Sequence, residues 1–482
     1  TLILTDGSGG SESSTISIGG AISTFKSVTL TGDNGISLGG NITTVNTGSN
    51  NVDINGPVTL TANTTIKTDA NNGTIDFSDT IDGAFNLTLD SGAGAIGVGG
   101  AIGGSAPLKV LDINHGDGAG IITLAGGIGN QSTKASGTTS GSAVDIGNAT
   151  TASITLGKAS ATRVFSTDGA TEFTTTGTNP DIDLIGTGVE FQTSDNTLTF
   201  TGGAIHLAND GANLTIGTGS GDITLTAIRG TDNETVSITS SGTVNTKAIG
   251  NAHEIETVGI EGGLIKIGGN ITTDGDGDVT LTGPVQLAVD NITIDTSSVD
   301  GKGSGDGGNV RFTDKLDSIS GQTYALTITT KAGTVQVDDI IGSTTALGAL
   351  TINNNATDTG TITLNGIGDG TAPALGSADV LIGSAGTTGM TLKGAFYDTG
   401  AATYTTNGAD ITVQRASAGT TEFGLSNEAA KFVGGNIKLT NDTDLSIVTG
   451  SAVLEVVGVR GHSGEDVSLS TTTGIITIGT GG

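Results

Sequence analysis

Apolar and polar residues alternate along almost the whole chain, in short runs such as "SVTLTG" at 27–32, "VTLTAN" at 58–63, "TIDFSD" at 74–79, "DITLTA" at 222–227 and "GTITLN" at 360–365. Val, Ile, Leu or Phe at every second position is the period of a strand with one buried face. Threonine fills most of the outward positions, and a β-branched residue suits a pleated surface. Gly, Asn and Asp punctuate the runs every six to ten residues and supply the corners that tight turns need. No run at helical spacing is longer than about a turn, so the pattern predicts an all-β chain.

Short strands with short turns suit either hairpin-built sandwiches or a β-solenoid whose coils stack along one axis. Internal repetition decides between them. "ISLGGNITT" at 36–44 returns as "IKIGGNITT" at 265–273, and "VDINGPVTLTA" at 52–62 returns as "VTLTGPVQLAV" at 279–289. The segment 86–113 returns at 325–352, where Leu87, Leu89, Ile96, Val98, Ile102, Leu108, Leu111 and Ile113 each meet an apolar partner. "FTGGAIHLANDGANLTI" at 200–216 matches 432–447, and "AIRGTDNETVSI" at 227–238 matches "GVRGHSGEDVSL" at 458–469. The chain is therefore a tandem duplication, with unit 1 at 1–235 and unit 2 at 236–482. Matching residues are apolar strand positions and turn glycines, which is what a repeated packing unit requires. Residues 1–14 resemble the tail of a preceding unit and 467–482 the head of a following one, so the chain is expected to be cut from, or to stack into, a longer array.

Composition removes several function classes. Low aromatic content and 18 basic against 48 acidic residues, a net charge of −30, would favour disorder if the apolar pattern did not oppose it. A chain this acidic, with scattered basic residues, is not expected to bind nucleic acid. Cysteine is absent, which excludes disulfides, thiolate metal sites and a cysteine nucleophile. No stretch approaches about 18 consecutive apolar residues, so no helical membrane span is expected. The opening "TLILTDGSGG" has no signal-peptide pattern and points to a mature chain or an excerpt.

The runs "GPVTLTANTTIKTD" (56–69), "GTIDFSDTIDGAFNLTLDSGAGAIGVGGAIGG" (73–104) and "VTLTGPVQLAVDNITIDT" (279–296) resemble the strand-repeat regions of very large bacterial exoproteins, the filamentous-haemagglutinin-like adhesins and autotransporter-type passenger domains. The resemblance covers nearly all of the chain and rests on composition and periodicity. It implies a right-handed parallel β-helix, an elongated rod, with a secreted, cell-surface role in adhesion, biofilm, sheath or fibre. At roughly 20–27 residues per coil and about 4.8 Å per coil, such a rod has about 18–24 coils and a length of roughly 90–115 Å. Its uncapped edges would invite end-to-end self-association into a homo-polymer.

Candidate sites are few. In "TTDGDGDVT", Asp274, Asp276 and Asp278 alternate with glycine as candidate Ca²⁺ ligands, and Asp300 and Asp306 flank glycines in a second run. Neither run supplies the Glu that closes an EF-hand or the nonapeptide of a calcium-binding roll, so turn-forming Asp-Gly is the favoured reading. Histidines 115, 206, 253 and 462 stand singly, and no convergent metal set is expected from them. Arg229/Glu234 recurs as Arg460/Glu465, which predicts a local ion pair ordering a turn. No enzyme activity is expected. The rival, a polysaccharide-cleaving β-helix, needs carboxylates beside a basic residue and aromatic platforms, and only Tyr324, Tyr397 and Tyr404 accompany the phenylalanines. A threonine-covered face could still hold carbohydrate or a neighbouring cell surface weakly. The expected function is structural: a rod or filament subunit, or the stalk of a large adhesin.

Overall fold

The computed structural model describes the whole chain apart from residues 7–14, 46–49, 69–71, 117, 177–180, 232, 251, 252, 254, 299–305, 372–377, 463 and 480–482. Asp300 thus lies outside the described residues. Among the described residues every regular element is a strand. Each of two units forms a parallel β-solenoid. Two compact units divide at 243/244, inside the strand Thr235–Thr246.

In unit 1 each coil contributes to three parallel ladders. The first runs from Leu2–Thr5 through Val28–Thr31, Val52–Asn55 and Ile75–Phe77 to Ile205–Leu207 and Ile228–Arg229. The second begins with Ile16–Ile18, Ile36–Leu38, Val58–Leu60 and Ile81–Asp82. It then narrows to single bridges, Ile81 to Ile102 to Ile128 to Phe165, before resuming as Thr162–Thr167 and Gly188–Thr193. The third includes Thr64–Lys67, Asn86–Asp90, Val110–Ile113 and Val144–Gly147. Unit 2 repeats the plan, down to the narrowed stretch, where Leu316, Ile341, Ile367 and Tyr397 form the same chain of bridges.

Register is kept along most of the ladders, with shifts at Ile22/Phe25 and Thr272/Asp274, so inward residues stack on their counterparts one coil away. Val28, Val52, Ile75 and Ile96 form one such column, and all are buried. The eight apolar residues matched between 86–113 and 325–352 are buried in both units, from Leu87 and Leu326 to Ile113 and Ile352. Ile16 lies opposite Ile36 and Ile292 opposite Leu326, so a coil takes from 20 to 34 residues. That range is wider than the 20–27 expected, because corners absorb insertions while strand positions stay fixed.

Two features of the core go beyond the sequence-derived picture. Threonine is not only an outward residue. Thr273, Thr296 and Thr330 are buried at corners, and each Oγ1 donates to the carbonyl of a glycine just ahead of the next strand: Gly277 (2.6 Å), Gly308 (2.7 Å) and Gly333 (2.8 Å). Ser91 does the same to Gly94 at 2.6 Å, and Thr68 to Gly73. A buried hydroxyl that found no such acceptor would cost about 1–3 kcal/mol. Buried asparagines tie successive corners together. Asn114 accepts from Ser91 N at 2.8 Å, and its repeat counterpart Asn353 accepts from Thr330 N at 2.7 Å. Both asparagines adopt the left-handed backbone (φ 50° and 46°), a conformation asparagine tolerates better than most residues.

The second departure is aromatic. Phe165, Phe173, Phe191 and Phe200 form a buried four-ring cluster in unit 1, and Tyr397, Tyr404, Phe423 and Phe432 form its counterpart in unit 2. Tyr397 and Tyr404 are therefore core residues, unavailable as sugar platforms.

Candidate functional site

Parallel in-register stacking places outward residues from neighbouring coils in columns, so side chains far apart in sequence become lateral neighbours. One column carries Asp112, Asp145 and Glu172 on three successive coils. Another carries Asp53 and Asp76, followed by Gly97. The bare Gly97 leaves a groove of about 620 Å³ bordered by Asp53, Asp76 and Thr123. No basic residue and no exposed ring is among its lining residues.

These columns perturb their carboxyls. Burial raises Asp112 above the ordinary carboxylate range, and Asp145 and Asp90 add to it, against the amide and charge of His115. Asp76 is raised by burial and by Asp53. Burial also raises Asp358 and Asp398, partly offset by hydrogen bonds from Asn355 and Gly370 respectively. A carboxyl raised in the fold binds its proton before the unfolded chain does. Between about pH 4, the unfolded value, and the raised value, the native state holds the extra proton, so stability rises as pH falls through that window. The urea midpoint is therefore expected to increase from pH 7 toward pH 4.5. Asp398→Asn, the change at a nearly fully buried site, is expected to flatten that rise. A midpoint that falls steadily with acidification would contradict the assignment.

A third column holds Asp183, His206 and Arg229 on successive coils of the first ladder. His206 Nδ1 lies 2.8 Å from Asp183 Oδ1. Arg229 Nη2 donates to Asp181, two coils back, and Arg460 in unit 2 donates to Asp410 in the same way. This corrects the expected pairing within Arg229/Glu234 and Arg460/Glu465. The recurring cation reaches laterally across coils, while Glu234 accepts from the backbone and hydroxyl of Thr231 within its own turn. His206 is likewise not solitary. Asp181, Asp183 and His206 are half-buried, offer ligand atoms within 4.8 Å of one another, and are the one such group of three among the described residues.

The run proposed from sequence is placed otherwise. Asp274 ends the strand Ile271–Asp274 and accepts from Gly275 N at 2.6 Å. Asp276 is exposed in the following turn. Asp278 accepts from Asn309 N (2.7 Å) and Nδ2 (3.0 Å), tying its corner to the next coil. Asp306 is exposed on that neighbouring corner.

The last coil differs from its repeat counterpart. Val467 is 46% exposed and Ile476 39%, whereas Val236 and Val244, which hold the same repeat positions, are 1% and 0% exposed. Ile475 and Ile478 are exposed beside them. Glu465 stands where unit 1 has the fully buried, hydrogen-bonded Glu234. Its two oxygens are shielded yet have no hydrogen-bond partner among the described residues, and His462 replaces Thr231. A pocket of about 470 Å³ opens there, beside Lys438, Arg460 and His462. The first coil shows the milder form of the same thing: Leu2 and Leu4 are half-exposed, although their partners Val28 and Leu30 are buried.

Comparison with protein-family models, with curated proteins and with solved structures returns no match. No helix among the described residues is long and apolar enough to cross a membrane.

Proposed function

We propose that this chain is a structural, extracellular β-solenoid that lengthens by coil-on-coil pairing, serving at a bacterial surface as a filament subunit or as part of the shaft of a large adhesin. The observation that carries the reading is the parallel stacking of like coils in each of two repeated units, where inward residues such as Val28, Val52, Ile75 and Ile96 form continuous buried columns. A further coil of the same chemistry, supplied by more repeats or by a second copy, extends such a ladder by the same pairing. The threonine-rich outer face and the resemblance to strand-repeat exoproteins support a setting outside the cell. With a net charge of −30, lateral contact is disfavoured at low salt, so growth along the coil axis is the favoured direction of assembly.

Sedimentation velocity over a wide concentration range, with negative-stain microscopy, tests this. The chain is expected to form linear species that grow with concentration. Ile476→Lys combined with Ile478→Lys places two charges on the open edge and is expected to leave monomers with an unchanged circular dichroism spectrum. A wild-type chain that stays monomeric at high concentration would sink the self-stacking form of the proposal.

A further inference from the structure

We propose that Asp181, Asp183 and His206 form a binding site for one borderline divalent metal ion, of the Zn²⁺, Co²⁺ and Ni²⁺ class, on the outer face of unit 1. Three potential ligand atoms already lie within 4.8 Å of one another. Asp183 and His206 sit opposite each other on the parallel strands Ile182–Ile185 and Ile205–Leu207, so the ladder sets their spacing. Donors on rigid strands hold a site better than donors on loops. One imidazole nitrogen with two carboxylate oxygens suits a borderline ion, whereas Ca²⁺ and Mg²⁺ prefer all-oxygen shells. Three protein donors also leave a coordination position open to water or an outside ligand.

The duplication supplies an internal control. Asp181 and Arg229 recur in unit 2 as the paired Asp410 and Arg460, but Thr412 and Lys438 replace Asp183 and His206. The ion pair belongs to the repeated architecture, and the two additional donors belong to unit 1 alone. One site per chain follows. Arg229 opposes an incoming cation, since its guanidinium already occupies one face of Asp181. Removing that charge should therefore tighten the site, an outcome that a purely structural ion-pair column does not produce.

The test is titration of the chelator-treated, full-length chain with Co²⁺ followed by visible absorption, and with Zn²⁺ followed by calorimetry. One saturable equivalent is expected, above the weak background of an acidic surface. His206→Lys, which writes the unit 2 residue into unit 1, is expected to abolish that phase and keep the far-ultraviolet spectrum. Arg229→Gln is expected to tighten binding by about three- to tenfold. No saturable equivalent in the wild type, or an equivalent that persists in His206→Lys, overturns the proposal. Weaker binding in a folded Arg229→Gln chain removes Asp181 from the ligand set and the three-donor site with it. None of these readouts depends on assembly at the coil ends.

Discussion

Gly120→Ala is expected to destabilise the chain by about 3 kcal/mol or more, while Gly116→Ala, four residues earlier, is expected to be neutral or to stabilise by up to about 1 kcal/mol. A methyl group on Gly120 would stand 2.6 Å from the carbonyl carbon of Gly94, and closer still to its oxygen. Gly94 is set against Gly73 in the same way, and Gly360, Gly333, Gly308 and Gly277 repeat the arrangement in unit 2. Each lies just ahead of a strand, on a carbonyl one coil before: a glycine's for Gly120, Gly94, Gly360, Gly333 and Gly308, and that of Asn50 for Gly73 and Glu256 for Gly277. The obstacle is backbone on both sides, so no side chain can swing away to relieve it. The coils would have to part, with loss of ladder hydrogen bonds on either side of the corner. Gly116 has no neighbouring atom within 4 Å of the added methyl. Replacing glycine also lowers the entropy of the unfolded chain, a gain of about 0.4–1 kcal/mol, too small to offset the clash at 120 and free to act at 116. Urea midpoints of the two variants decide it. Equal midpoints would mean that the corner spacing is soft.

That spine shows where the sequence is transparent and where it is not. Strand positions were legible because alternation and duplication mark them twice: Leu87 and Leu326 share a position, a residue class and a buried state. Corner threonines were not legible, since Thr330 and an outward threonine such as Thr327 are the same residue type and differ only in the residues downstream of them. The available signal is a Thr or Ser three to five residues ahead of a glycine that precedes an apolar run, as in Thr68–Gly73, Ser91–Gly94 and Thr330–Gly333. Lateral neighbours were hidden for a different reason. Coils vary from 20 to 34 residues, so no fixed offset reveals that Asp112, Asp145 and Glu172 share a column. For Arg229 the duplication held the answer. Asp181 recurs as Asp410 along with the arginine, and a partner that repeats with its cation is a better candidate than the nearest acid in the chain.

Substitution within the ring clusters is expected to have the other large effect. Phe191 stacks on Phe165 with centroids 5.4 Å apart and meets Phe173 and Phe200 edge-on at 5.4 and 5.1 Å. Phe423 holds the same place in unit 2, stacked on Tyr397 at 4.8 Å. These rings lie where the second ladder passes from single bridges to the longer strands Thr162–Thr167 and Gly188–Thr193, a span that aliphatic columns fill elsewhere. Phe191→Ala removes a ring that, like Phe173, meets all three others and is expected to cost about 3–5 kcal/mol. Phe191→Leu keeps part of the volume and is expected to cost less. The tyrosines test the same packing with the opposite sign. Tyr397 Oη donates to Leu364 O at 3.0 Å and accepts from Gly394 N at 3.1 Å, so Tyr397→Phe is expected to lose about 1 kcal/mol or more. Tyr404 Oη is buried with no partner among the described residues, and unit 1 already carries Phe173 at that position. Tyr404→Phe removes an unsatisfied hydroxyl without changing the ring and is expected to stabilise the fold by about 1 kcal/mol. Urea unfolding, with hydrogen exchange read over 160–200 and 395–435, measures all four. A loss in Tyr404→Phe equal to that in Tyr397→Phe would show that both hydroxyls are bonded, and that ring stacking alone does not set the geometry of the cluster.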